Sequence, residues 1–228
     1  MISKTFFGLA CFMLFQLITI ISGQNGSINP SKRGGHTATL IDGKLYILGG
    51  YNIPSGIHDE IPGHQFFYLD VSTPFFAPNI RWMDLTQVNV VPPHRRAAAV
   101  RAGENNKTLV LFGGQPVYND TTMAIVYTFD TEKLSWSIPK VTDPPLNKSS
   151  LIPIVHNKKM YLFGGFIYSK YEPINFVSDM AILDTVSFRF TQGSRINAPT
   201  PRGYFGAVLL PTQKIIYIGK EKVFFFKK

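Results

Sequence analysis

An apolar run that ends in two glycines recurs along this chain of 228 residues and constrains its fold more than any other feature. The run appears as KLYILGG, TLVLFGG and KMYLFGG, and its doublets are Gly49 and Gly50, Gly113 and Gly114, and Gly164 and Gly165. A fourth copy, KIIYIGK, keeps only the first glycine, Gly219. Strand-like units repeated in this way predict a chain built from several similar β-sheets.

Further landmarks accompany each copy of the run. A basic residue precedes a small-residue strand upstream of the doublets, at Arg33, Arg96, Lys148 and Arg202. An apolar strand downstream ends in aspartate and is followed by an aromatic residue: Asp70 and Trp82, Asp130 and Trp136, Asp184 and Phe190. We interpret each glycine as the end of a second strand, where a Cβ would clash or φ is positive, and each aspartate as a turn residue. A strand-based period near 50 residues predicts propeller blades.

At these positions the chain resembles the kelch repeat, a family of β-propellers similar in architecture to the central domain of galactose oxidase. The resemblance covers Arg33 to about Gly219 and departs from the pattern at Lys148 and at Lys220, which replaces a glycine. It implies an all-β partial propeller of about three complete four-stranded blades, over residues 36–85, 96–138 and 149–191. Part of a fourth blade follows from Arg202.

The end of the sequence suggests that the repeat array is truncated. After Gly219 only KEKVFFFKK follows, enough for one more strand, and residues 24–32 lack a strand's apolar alternation. We therefore assign residues 33–228 to an incomplete kelch domain and residues 24–32 to a short linker. Open blade edges in such a domain would allow self-association.

The first 23 residues are typical of a secretory signal peptide. Lys4 precedes an uncharged apolar run, and Gly23 is a small residue suited to cleavage. The alternative is an uncleaved membrane anchor, although the run is short for a span. We expect a secreted or cell-surface protein whose mature form lacks cysteine, because Cys11 lies in this segment. Four N-x-[ST] sequons are candidate glycosylation sites, at Asn25, Asn106, Asn119 and Asn147.

The sequence gives little support for catalysis, cofactors or nucleic acid. The formal net charge is +9, but the basic residues are scattered rather than gathered into a stripe. The segment HDEIPGH, residues 58–64, is better interpreted as a solvated polar loop than as a metal site. The copper radical chemistry implied by galactose oxidase needs a tyrosine crosslinked to a cysteine, which the mature chain lacks. We therefore expect no enzyme activity, no metal and no cofactor.

Long loops follow the doublets, whereas the turns between the first two strands are short, so one face should carry the loops. We predict a non-catalytic module that binds an unknown protein partner there. The candidate binding residues are Arg33, Tyr51, Arg96, Tyr118, Tyr168, Tyr171 and Arg202. The alternatives are carbohydrate binding, with tyrosines stacked on sugar rings, or a non-functional fragment of a longer protein of this kind.

Overall fold

The computed structural model describes residues 27–52, 63–76, 80–118, 122–167 and 175–219. Within these ranges the chain consists of strands, turns and irregular connections, and the one helical element is a single 3-10 turn, Thr86–Val88. None of these residues forms a helix with the length and apolar character needed to cross a membrane. The proposed signal peptide and the sequons at Asn25 and Asn119 lie outside the described residues.

Twenty-two strands make up the described fold. In chain order they are β1 (Ser27–Ile28), β2 (Arg33–Gly34), β3 (Thr37–Ile41), β4 (Lys44–Leu48), β5 (Tyr51–Asn52), β6 (Phe66–Asp70), β7 (Trp82–Asp84), β8 (His94–Arg95), β9 (Ala98–Ala102), β10 (Thr108–Phe112), β11 (Gln115–Pro116), β12 (Val126–Asp130), β13 (Ser135–Ser137), β14 (Lys148–Ser149), β15 (Ile154–His156), β16 (Lys159–Phe163), β17 (Phe166–Ile167), β18 (Asn175–Phe176), β19 (Met180–Asp184), β20 (Phe190–Gln192), β21 (Gly206–Leu209) and β22 (Ile215–Ile218).

The longer strands form three antiparallel blades and a hairpin. Blade 1 has the order β7-β6-β4-β3, blade 2 the order β13-β12-β10-β9, and blade 3 the order β15-β16-β19-β20. Strands β21 and β22 pair as the hairpin of a fourth blade. The predicted all-β partial propeller, with three four-stranded blades and part of a fourth, is confirmed.

Residues before blade 1 depart from the sequence-based expectation. The segment 24–32 was expected to be a linker without strand structure, yet Ser27 pairs with Met83 and Ile28 with Trp82 at the outer edge of blade 1. Two residues can add to a strand edge through backbone hydrogen bonds alone, so this pairing needs no apolar alternation. The strand β1 thus adds a short fifth strand at the outer edge of the four that form blade 1.

The hydrophobic core lies between the blades rather than within them. Strand β10 shows why, because Leu109 and Leu111 pack against blade 1 while Val110 and Phe112 pack against blade 3. The aromatic residue of the fourth strand also reaches the preceding blade: the ring centroid of Trp136 lies 5.2 Å from that of Phe66. Apolar residues on both faces of a strand are expected when a sheet is covered on both sides.

The glycine doublets lie where one blade meets the next. At Gly49, φ is +70°, and a Cβ would approach the His94 carbonyl oxygen and imidazole to 2.8 Å. A Cβ added at Gly164 would lie 2.7 Å from the Arg202 carbonyl oxygen. Any larger residue would therefore force neighbouring blades apart, which explains the recurrence of glycine here.

The repeat aspartates hold the turn between the third and fourth strands. Asp130 accepts hydrogen bonds from the backbone N–H groups of Glu132 and Lys133, both at 2.9 Å. Asp184 does the same with Val186 and Ser187. These bonds to the charged carboxylate lower the pKa of both aspartates.

Candidate functional site

Short accessory strands extend three blades at the end of the molecule that carries the glycine doublets. Each strand that follows a doublet pairs with one that precedes the first strand of the same blade: β5 with β2, β11 with β8, and β17 with β14. The loops after the doublets and the connections between blades therefore emerge on the same side. We call this side the doublet end.

Four residues with equivalent backbone geometry cross the blades at the doublet end, and we call them the axial row: Gly35, Arg96, Ser150 and Tyr204. The N–H of Arg96 donates to the Gly35 carbonyl at 2.6 Å, that of Ser150 to Arg96 at 2.9 Å, and that of Tyr204 to Ser150 at 2.9 Å. Their φ angles lie between 55° and 65°. Each blade thus places one residue at the same point near the propeller axis.

A cavity of about 300 Å³ opens over the axial row, and we call it the axial cavity. Its walls include the whole row together with His36, Tyr51 and Phe205. The guanidinium carbon of Arg96 lies 5.3 Å from the ring centroid of Tyr204, and that of Arg95 lies 5.9 Å from the centroid of Tyr51. The doublet end therefore presents arginine and tyrosine side chains stacked in pairs.

Three members of the axial row occupy a backbone conformation that disfavours their side chains. Arg96 and Ser150 have φ of 59° and Tyr204 has φ of 55°, whereas blade 1 places Gly35 at this point. A residue with a Cβ in the left-handed region costs about 1–2 kcal/mol. Ten other non-glycine residues of the described chain also have positive φ, but in the axial row this conformation recurs at equivalent points of three blades, and such strain is found at functional positions.

The structure realigns the basic residues of the repeat. The second glycine of each doublet donates its N–H to the next blade, at the carbonyls of His94, Lys148 and Arg202. His94, rather than Arg96, is therefore the counterpart of Lys148 and Arg202 in blade 2. Arg96 was grouped with Arg33, Lys148 and Arg202 because it is basic. The feature that the repeats share is a backbone carbonyl that accepts a hydrogen bond from the preceding doublet.

Arg33 lies apart from the axial cavity. Its guanidinium donates to the carbonyls of Gly49, Gly63 and His64 and lies 4.7 Å from the ring centroid of Phe67. Desolvation lowers its pKa to about 10. Arg33 thus fixes the backbone around the doublet of blade 1, and with a further bond from its Nε to the Ser31 carbonyl it uses four of its five N–H donors.

The other predicted binding residues are not gathered into one site. Arg202 donates to the carbonyl and hydroxyl of Thr200, and Tyr118 is half exposed on the loop after the second doublet. Tyr168 and Tyr171 lie outside the described residues. Of the seven candidates, the structure brings Tyr51 and Arg96 together at the axial cavity.

The residues predicted from sequence did not include Ser150 and Tyr204, which line the axial cavity, or Arg95, which stacks on Tyr51. The spacing along the chain could have indicated the axial row, because each of its members lies two residues after Arg33, His94, Lys148 or Arg202. Recognising it requires the positive φ that only the structure provides.

The described part of the chain contains no cluster of three or more potential metal ligands. Of the loop that raised the metal hypothesis, residues 58–62 lie outside the described ranges. His64 is described, and its Nδ1 lies 2.8 Å from Asp84 Oδ2.

Comparison with known proteins gives consistent matches. The sequence model of the protein family described as the KLHDC2/KLHL20/DRC7 Kelch-repeats domain matches residues 35–228. Kelch domain-containing protein 3 of Bos taurus is 30% identical over 207 residues, which are 85% of this chain and 50% of that protein. Host cell factor 1 of Rattus norvegicus is 28% identical over 146 residues, 60% of this chain and 7% of that protein. The chain thus spans half or less of these relatives.

Proposed function

Because the chain belongs to the kelch-repeat family, we propose that it is a non-catalytic protein-interaction module that binds its partner at the doublet end, around the axial cavity. Membership of a fold family does not by itself define a function. The proposal therefore depends on the residues of the cavity.

The observation that carries the proposal is the strain of the axial row. Arg96 and Tyr204 adopt the left-handed conformation with φ near 55–59°, and Tyr204 remains 47% exposed. Because the Tyr204 side chain is only about half buried, its burial offsets little of the free-energy cost of its positive φ. A role in binding accounts for arginine and tyrosine at positions where glycine would cost less.

The chemistry of the axial cavity suits recognition of a protein. Tyrosine and arginine are enriched among the residues that carry most of the binding energy at protein interfaces. The Arg96 side chain is also oriented by a 3.2 Å bond to Gln115 Oε1. A fixed arginine beside exposed rings gives directional contacts at low entropic cost.

The same cavity gives no support for nucleophilic catalysis. The hydroxyl of Ser150 is buried and has no hydrogen-bond partner within the described ranges. A serine nucleophile requires an adjacent base to accept its proton. Ser150 therefore lacks the activation that acyl or glycosyl transfer would need.

Carbohydrate binding is the second candidate, and the rings of Tyr51 and Tyr204 at the axial cavity favour it. Tyrosine faces can stack on sugar rings, as the sequence also suggested. A glycan-array screen separates the two candidates, because binding to glycans alone, without capture of a protein, would favour the carbohydrate ligand.

We also propose that the protein is exported and acts outside the cell or at its surface. The support comes from residues 1–23, where Lys4 precedes an uncharged apolar run and Gly23 is a small residue suited to cleavage. Fractionation of cells that express the tagged full chain tests this directly. Retention of the unprocessed chain in the cytosol would contradict it.

Capture of partners with alanine variants tests the binding proposal. Arg96→Ala and Tyr204→Ala should each reduce partner capture at least tenfold relative to the wild-type chain. The matched control is Arg101→Ala, an exposed arginine at the opposite end of blade 2 whose guanidinium lies 3.9 Å from Asp42. Equal loss of binding in all three folded variants would refute a site at the axial cavity.

A further inference from the structure

A second cavity, of about 370 Å³, lies off the propeller axis at the doublet end of blade 3. We call it the side cavity. It lies between the connection that enters blade 3 and the connection that leaves it, and its lining includes Leu146, Lys148, Ile167, Phe176, Asp179 and Arg195. It shares none of its lining with the axial cavity.

The floor of the side cavity is a buried ion pair. The side chain of Lys148 is 1% exposed, and its Nζ donates to the Leu162 carbonyl at 3.1 Å and to both oxygens of Asp179 at 3.2 Å. Desolvation lowers the pKa of Lys148, while the attraction to Asp179 opposes this shift. The pair therefore contributes little net charge, and its atoms are held in fixed positions.

The rim of the side cavity supplies the uncompensated charge. Arg195 is exposed there, and its guanidinium makes no hydrogen bond or ion pair with another described residue. Because Lys148 and Asp179 neutralise each other, Arg195 gives the described lining of the cavity a net positive charge. A carboxylate is the group that best complements a free guanidinium.

The walls are apolar and partly preorganised. Leu146 is 68% exposed at the mouth, and Phe176 packs edge-on against Phe166 with ring centroids 5.5 Å apart. Ile167 completes the apolar surface. The volume of this cavity is at the lower end of the range for ligand pockets and leaves room for a single large side chain.

We propose that the side cavity is a second binding site, which takes a large apolar side chain of a protein partner while a neighbouring carboxylate of that partner pairs with Arg195. The inference rests on the proposed function, because it assigns to the partner a short acidic and apolar segment that reaches this part of the doublet end. Anchoring a side chain in a pocket and pairing a charge at its rim is how interfaces concentrate binding energy.

Capped dipeptides test the site without the natural partner. Acetyl-Leu-Glu-amide is titrated into the 15N-labelled chain, with acetyl-Leu-Gln-amide and acetyl-Leu-Lys-amide as comparisons. We expect backbone amide shifts at Ile167, Phe176 and Asp179 and a five- to tenfold weaker affinity for the glutamine and lysine peptides. Equal affinity for the lysine peptide, or shifts confined to other residues, would overturn the proposal.

Variants identify the two contacts. Arg195→Gln should weaken the glutamate peptide five- to tenfold and leave the glutamine peptide unchanged, whereas Leu146→Ser should weaken both. The matched control is Arg189→Gln, an exposed arginine of blade 3 whose Nε lies 3.3 Å from Asp143. If Arg189→Gln weakened the glutamate peptide as much as Arg195→Gln did, the attraction would be general and the site refuted.

The two proposals fail in different ways. Loss of partner capture in Arg96→Ala with no peptide binding at the side cavity would overturn this inference alone. Peptide binding at the side cavity together with unchanged partner capture in Arg96→Ala and Tyr204→Ala would support this site and contradict the axial one.

Discussion

The backbone N–H of Arg96 donates to the carbonyl of Gly35 across the boundary between the first two blades, at 2.6 Å. The bond joins residues at equivalent points of adjacent blades, and the same bond recurs at the next two boundaries. The position of the Arg96 side chain is thus fixed by the bonds that hold the blades together.

Arg96→Gly should be more stable than Arg96→Ala. Both substitutions remove the side chain, but φ at this position is 59°, which glycine adopts freely and alanine does not. We expect the free energies of unfolding to differ by about 1 kcal/mol in favour of glycine. Urea denaturation of the two variants measures the difference.

The control for this pair is Arg101, which lies in strand β9 of the same blade. Here Arg101→Ala should be more stable than Arg101→Gly, because glycine in an extended strand destabilises a protein by about 0.5–1 kcal/mol relative to alanine. Alanine favoured at both positions would contradict the strain assigned to the axial row.

Gly49→Ala should destabilise the fold strongly. The new Cβ would lie 2.8 Å from the carbonyl oxygen of His94 on the next blade, at a φ of +70°. We expect a loss of about 2 kcal/mol or more in the free energy of unfolding. Thermal and chemical denaturation measure it.

Gly63→Ala is the matched substitution, because no atom of the described residues lies within 4 Å of the added Cβ. It should change the free energy of unfolding by less than about 0.5 kcal/mol. Similar losses in Gly49→Ala and Gly63→Ala would show that close approach between blades does not explain the doublet.

The doublets could be interpreted from sequence because their requirement is steric and admits essentially one residue type. The position two residues before the axial row is different, because it interacts through its backbone carbonyl, which any residue type can supply. In blade 2 this position is His94, so aligning the blades by their basic residues selects Arg96 instead. The axial cavity depends on φ at Ser150 and Tyr204, and no residue preference indicates a positive φ there.

Stability should fall as the pH falls below about 6.5, because His94 is buried in its neutral form. Desolvation lowers its pKa to about 4, while its Nδ1 lies 2.8 Å from the Pro92 carbonyl oxygen. The unfolded chain takes up the proton first, so the contribution of His94 is complete above pH 6.5 and is lost towards pH 4. The loss should be on the order of 3 kcal/mol.

His94→Asn isolates this effect, since its amide can still donate to the Pro92 carbonyl but does not titrate. Its unfolding free energy should depend less on pH between 6.5 and 4 than that of the native chain. His36, whose pKa is lowered by desolvation and by Arg33, also makes the free energy of unfolding fall at low pH, but it does so equally in both proteins. Parallel pH profiles would contradict the assignment to His94.

Of the two described sequons, Asn106 should carry a glycan and Asn147 should not. Asn106 is exposed in the turn between β9 and β10, away from the doublet end. The Asn147 amide instead donates to the Gly114 carbonyl at 3.3 Å, and its Oδ1 is buried. A glycan on Asn147 would break this contact between blades.

The test is secretion of a chain in which Asn25 and Asn119 are replaced by aspartate. Adding Asn106→Asp should abolish the mass lost on glycosidase treatment, whereas adding Asn147→Asp should leave it unchanged. A shift that disappears only with Asn147→Asp would contradict the structure at this position.

Each core cluster joins only adjacent blades: one combines blades 1 and 2, and the other combines blades 2 and 3 with Phe205, the residue before the hairpin. Protection against hydrogen exchange should therefore vary stepwise along the chain, as in a linear array with nearest-neighbour coupling. Strand β10, buried on both faces, belongs to the slowest-exchanging unit. The hairpin β21–β22, with alternate residues exposed, can open while the interfaces of blade 2 stay closed.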